Sequence, residues 1–153
     1  MKNKKKGVCT PSKNQGVDMR AYELREKLFT KDELLVGYYG AVDQILCAFA
    51  DSHDGLKEER NLNFFCNHAF DRELAIKIAE RCIVDYNFFN AKTMEQVINL
   101  FGDALYYFAR ENSACIYIRP LKNVWLSNAK KEEIKWDEFT FDSNLQMFRI
   151  WWD

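Results

Sequence analysis

Four residues of this chain have side chains suited to metal or nucleophilic chemistry. His53 and Asp54 are adjacent, and Cys66 and His68 stand two apart. Imidazole, thiolate and carboxylate are ordinary ligands of zinc and other divalent ions, so His53, Asp54, Cys66 and His68 define a candidate metal-dependent enzyme site. Their spacing argues against it. No His precedes His53 to add an imidazole from an earlier element. Asp51-Ser52-His53-Asp54-Gly55 is also the composition of a turn. Cys66-Asn67-His68 lacks the paired CxxC knuckles of structural zinc sites. As nucleophile and base, residues two apart do not face each other on a helix, and no third orienting group is evident.

Other catalytic signatures are missing too. The chain contains no GxxxxGK(S/T), GxGxxG or GxSxG segment, which disfavours the common nucleotide enzymes. Adjacent acids at Glu58-Glu59 and Glu132-Glu133 lie in Lys-rich stretches and read as solvated surface. No catalytic residue, metal ligand or cofactor is therefore assigned.

A different chemistry stands out at the carboxyl end. All four tryptophans, Trp125, Trp136, Trp151 and Trp152, lie in the last 29 residues, with Arg149 beside the final pair. Trp and Arg are enriched among the residues that anchor one protein on another. In a strand, Trp151 and Trp152 must point to opposite faces, so if one enters the core the other is left for solvent or a partner. The bland reading is that these rings only cover the helices. The candidate partner-binding set is Trp151, Trp152, Arg149, Trp125 and Trp136.

Composition limits the partners. With 48% hydrophobic, 29% charged and 15% aromatic residues, the 153-residue chain has the make-up of a soluble globular domain. Its formal net charge of −1 hides an asymmetry, because residues 1–17 hold five lysines and no acid, leaving −6 for the remainder. A mildly acidic body is a poor match for a phosphate backbone and suits a basic protein better. Nucleic acid could be approached only by the basic tail, residues 1–18, whose composition is that of a flexible segment. The longest apolar run, Ile45 to Ala50, is too short to span a bilayer, and Val8 to Lys13 supplies no signal-peptide core. Five scattered cysteines do not suggest a disulfide framework, so a cytosolic setting is expected.

The elements that must position these residues follow from periodicity. Six glycines and two prolines are few for an all-β fold, so helices should dominate. A short helix is expected from Met19 to Phe29. Thr30-Lys31-Asp32-Glu33 has the form of a capping box, predicting a central helix over about 31–50 with Gly37 and Gly40 inside it. Residues 56–66 are ambiguous between helix and loop. Asp71 should cap a helix bearing Leu74, Ile78 and Cys82. A second box, Thr93 to Gln96, predicts a helix running to Asn112-Ser113. Ala114 to Arg119 then alternates like an edge strand closed by Pro120, with Val124 to Leu126 as its partner. Residues 128–135 read as a charged loop or a single helical turn. Phe139 to Phe141 and Phe148 to Trp152 read as a hairpin that could use Asn144 in the left-handed region.

The expected fold is α+β: four to five helices around the 31–50 helix, then a small C-terminal antiparallel sheet, in a single domain over residues 19–153. The expected function is stoichiometric protein–protein binding by a small cytosolic protein, as an inhibitor, immunity protein or phage-encoded antagonist of a host system. A homodimer through an unpaired edge strand is a further option.

Overall fold

A five-stranded antiparallel sheet with helices packed on one face frames this α+β structure. The computed structural model describes residues 20–53, 55, 56, 60–84, 86 and 88–153; the basic segment 1–18 and Asp54 lie outside the described residues. The described residues form five α-helices: α1 (Ala21–Leu28), α2 (Tyr39–Ala48), α3 (Arg72–Cys82), α4 (Ala91–Phe101) and the single turn α5 (Asn128–Lys131). The strands are β1 (Asn63–Phe65), β2 (Ala104–Glu111), β3 (Ser113–Pro120), β4 (Glu138–Asp142) and β5 (Met147–Trp151), in the order β1-β2-β3-β5-β4.

Alternation along the strands divides the sheet chemically. Phe64, Tyr106, Phe108, Arg110, Ile116, Ile118, Ile150 and Phe139 fall on one face by register and are buried. Trp152 continues β5 on that face, its backbone N–H bonding to Ala114 at 3.0 Å. The helices complete this core with Val42, Ile45 and Leu46 of α2, Ala75 and Ile78 of α3, and Met94 and Val97 of α4. Trp152 is fully enclosed, 4.7 Å from the Phe89 ring.

Asp71 caps α3 as expected, accepting from the Leu74 N–H at 2.9 Å. The Thr30 box does not start a helix. Its Glu33 carboxylate does reach back to the Thr30 N–H, at 2.9 Å, but the segment closes a single turn, Leu34 enters the core and Leu35 is extended. A 3-10 turn at Val36–Tyr38 precedes α2, so the central helix is shorter than 31–50. Arg81 explains the diversion: its guanidinium takes both Glu33 oxygens at 2.8 and 3.0 Å, tying the turn to α3. A Cβ at Gly37 or Gly40 would meet nothing within 4 Å, so neither glycine is there for close helix packing.

Two further boundaries move. Asn90, not Thr93, caps α4, its side chain accepting from the Thr93 N–H at 3.0 Å. That helix stops at Phe101, where Gly102 turns the chain with φ +66°, and Ala104–Glu111 is a strand. Ala104, Leu105 and Phe108 fit a helical stripe in sequence. The buried set Ala104, Tyr106, Phe108 and Arg110 has period two, and pairing to β3 along the whole strand selects it.

β3 is consequently an inner strand, held by β2 and β5, and Val124 to Leu126 forms no strand. Pro120 is tolerated because it ends the strand. Residues 63–65, from the ambiguous stretch, supply the short edge strand β1. The expected C-terminal hairpin is present as β4 and β5, but Gln146, at φ 57°, rather than Asn144 occupies the left-handed position.

Burial sets the expected cost of substitution. Trp152→Ala should destabilise the fold by roughly 3–5 kcal/mol, the range for emptying a large aromatic site, whereas Trp125→Ala should change stability by less than about 0.5 kcal/mol. Urea unfolding midpoints of the two variants check this. Gly40→Ala, with open space around its Cβ, should stabilise by about 0.5–1 kcal/mol in the same assay.

Candidate functional site

The second face of the sheet carries a different set of side chains. Register places Phe65 of β1, Leu105, Tyr107, Ala109 and Glu111 of β2, and Cys115, Tyr117 and Arg119 of β3 on it. β5 adds Met147, Arg149 and Trp151, and β4 adds Glu138 and Thr140. Among the described residues, no helix makes a ring contact or side-chain hydrogen bond on this face. Its aromatic residues therefore stay partly open: Phe65 is 41% exposed, and Tyr107, Tyr117 and Trp151 are half-buried.

These rings are held in place. Phe65 stacks on Tyr107 at 5.8 Å and meets Tyr117 edge-on at 5.4 Å, while the Arg119 guanidinium lies 5.7 Å from the Tyr107 ring centre. Such contacts fix aromatic orientation. Beside them runs a polar network centred on Glu111. Its carboxylate accepts from Tyr117 Oη at 2.6 Å and from Arg149 Nε and Nη2 at 2.9 and 2.6 Å. Arg149 Nη1 continues to Glu138 Oε1 at 2.7 Å, and Trp151 Nε1 donates to the Glu111 carbonyl at 2.7 Å.

The protonation states are those of a structural scaffold. Burial pushes the Glu111 carboxyl up, but the Arg149 and Tyr117 hydrogen bonds and the Arg149 charge outweigh it, leaving Glu111 below the usual carboxylate range. Burial and donation to Glu111 hold the Tyr117 hydroxyl protonated. Burial, with the Glu111 charge, likewise pushes the Cys115 thiol up, the opposite of what a nucleophile needs. Glu111 is a weakened base and Cys115 a poor nucleophile.

The structure separates the five residues singled out in the sequence. Trp151 and Arg149 meet on the open face. Trp152 lies on the other side of the sheet, fully buried with Nε1 donating to the Lys135 carbonyl at 2.6 Å, and has no ring surface to offer a partner. Trp136 is half-buried against Phe139, with Nε1 on the Lys131 carbonyl at 2.9 Å. Trp125 is 80% exposed on the connection after β3. Phe65, Tyr107, Tyr117, Glu111 and Arg119 were missed. Alternation over 104–111 is the signal that carries Tyr107 and Glu111, while Tyr117 and Arg119 lie on one side of the Ala114–Arg119 alternation and Phe65 has no comparable local signal.

Of the four residues of the metal-dependent alternative, the structure describes His53, Cys66 and His68. His53 Nε2 lies 3.0 Å from the Cys82 carbonyl, Cys66 Sγ faces the His68 carbonyl at 3.6 Å, and the His68 ring packs on Tyr38 and Phe70. Among the described residues no three His, Cys, Asp or Glu side chains converge as a metal site requires. No protein family, curated protein or solved structure matches the chain.

The Glu111 network has a pH signature. A carboxylate whose pKa is lowered on folding contributes stability that is complete above its unfolded value, near 4.5, and is lost as pH falls through the folded value. Unfolding free energy should therefore fall between pH 6 and pH 3, and fall less in Glu111→Gln. Urea midpoints across that range check it; an equal loss in both proteins would show that Glu111 is not a source of acid sensitivity.

Proposed function

We propose that this protein acts by stoichiometric binding of another protein across the helix-free face of its sheet. The observation that supports this is the set of partly open rings on that face, Phe65, Tyr107 and Tyr117 braced on one another and Trp151 held by the Glu111 carbonyl, with Arg119 and Arg149 among them. Aromatic and Arg side chains dominate interface energetics, and rings already held in place lose little freedom on binding. The excess of acid outside the basic tail favours a partner with a basic contact surface.

Inhibitors, immunity proteins and phage-encoded antagonists work by stoichiometric binding of this kind, and that class, acting in the cytosol, is part of the proposal. Among the described residues, no helix is long and apolar enough to cross a membrane. Trp152 drops out as a contact residue, and Trp125 becomes the principal rival as an anchor because it is the most exposed large ring.

The test begins with a partner recovered from native cell extract, purified and titrated against the chain by calorimetry. Trp151→Ala and Phe65→Ala should each weaken binding by about thirtyfold, the scale of an interface hot spot, with native circular dichroism retained. Trp125→Ala should stay within about threefold of the parent, as for a residue outside the contact. Loss in Trp125→Ala alone, with Trp151→Ala and Phe65→Ala unchanged, would move the interface off the sheet.

A further inference from the structure

A cavity of about 320 Å³ lies at the corner where α1 meets the start of α2, lined by Arg25, Glu26, Phe29, Thr30, Lys31, Leu34 and Tyr39. Its volume falls at the lower end of small-molecule sites, roughly 300–1,000 Å³. Arg25 is the unusual member, because its residue surface is only 8% exposed. Its Nε donates to Asp43 Oδ1 at 2.7 Å, and its guanidinium lies over the Tyr39 ring, 4.0 Å from the centre. Its two terminal nitrogens hydrogen-bond to no described residue and are not sealed from solvent. A buried guanidinium normally satisfies its donors within the protein. Here the ion pair and the ring fix the group while the forked end stays free.

The walls are fixed as well. The Arg81 guanidinium lies 5.1 Å from the Phe29 ring centre, bonds to the Leu28 carbonyl at 2.8 Å and grips Glu33. Glu33 in turn holds the Thr30 N–H, so the Thr30–Glu33 turn braces Phe29 on one side and Leu34 on the other. The Glu33 carboxyl is drawn down to about 2 by the Arg81 and Thr30 hydrogen bonds, which keeps the brace charged through the physiological range.

We propose that this cavity binds a small organic carboxylate, whose two oxygens meet the terminal nitrogens of Arg25 and whose apolar end lies against Phe29 and Leu34. The pairing is the planar, two-bond match that a guanidinium makes with a carboxylate. The lining holds Arg25 and Lys31 against Glu26, an excess of one positive charge that matches a monoanion better than a phosphate dianion. Apolar walls favour a ligand with a hydrocarbon or aromatic group. The carboxylate could belong to a free metabolite or to a chain terminus, and the same contacts serve both. This site is separate from the sheet face.

Titration of the full chain with hexanoate, and with a short peptide ending in a free phenylalanine carboxylate, tests the proposal by calorimetry and by amide and ring resonances in NMR. The expected result is saturable one-to-one binding, with shifts centred on Arg25, Phe29, Leu34 and Tyr39. Binding by hexanoate indicates a free ligand, and binding by the peptide alone indicates a terminus. Hexanamide and the amidated peptide should bind at least about tenfold more weakly, a comparison that needs no variant. Arg25→Lys should weaken binding by at least about tenfold, while Arg72→Met, on an exposed part of α3, should leave it unchanged. No saturable shift with either acid, equal binding of acid and amide, or tighter binding of inorganic phosphate would overturn the proposal.

Discussion

Arg110 is the charge around which this fold is arranged. It sits on the helix-facing side of an inner strand and is 2% exposed, a position where an unpaired guanidinium would be prohibitively costly. Every direction from it is therefore answered. Asp51 takes two of its N–H groups at 3.0 and 3.1 Å, the Ala48 carbonyl at the end of α2 takes another at 2.6 Å, and the Tyr86 hydroxyl and the Asn112 carbonyl take the rest. Phe49 and Tyr86 hold the guanidinium against their rings at 5.1 and 4.9 Å. A cation at a helix C-terminus also meets the negative end of the helix dipole. One side chain thus joins α2, the 3-10 turn after it, the segment beyond α3 and the β2–β3 turn. Burial pushes the Asp51 carboxyl up, but Arg110, with help from Arg60, draws it below the usual range and keeps the pair charged.

The next residue in the chain repeats the arrangement on the other side of the sheet. Glu111 points away from the core and gathers Tyr117, Arg149 and Trp151. Alternation makes Arg110 and Glu111 serve opposite faces, and the tight turn at Asn112, with φ 62°, immediately follows them. The core network fixes where the hairpin sits. The outer network fixes the orientation of the residues that face solvent. The open face is therefore held by its own side-chain contacts without a helix packed on it.

The α1–α2 corner shows the same economy of means. Arg81 and Glu33 hold a loop that no regular element would hold, and Arg25 and Asp43 do so one turn further in. The more exposed of these pairs, Arg81–Glu33, adds little to stability by itself. Their effect here is geometric: they keep Phe29 and Leu34 on either side of a space instead of letting the loop collapse into it.

Several features of the structure are decided by local sequence alone. Asp71 caps α3 because its carboxylate meets the first free N–H groups of its own helix, and α3 buries the stripe that its spacing displays. Alternation over 139–152 produces the final hairpin and places Trp151 and Trp152 on opposite sides. Other features depend on distant partners. Thr30 and Glu33 carry a helix-start signature, and Glu33 does bond back to Thr30, yet Arg81, 48 residues away, holds the segment as a turn. Residues 104–108 fit either period, and only the ladder to β3 makes them a strand, bringing Tyr107 and Glu111 to the open face. Which tryptophan is enclosed could not be read either, because the helices cover one side of the sheet and leave the other. The sequence by itself determined the periodicities, the caps and the α+β class, since those rest on contacts within a few residues. Tertiary structure decided the inner place of β3, the burial of Trp152 and the identity of the exposed face, since strand pairing and layer packing join residues that nothing local relates.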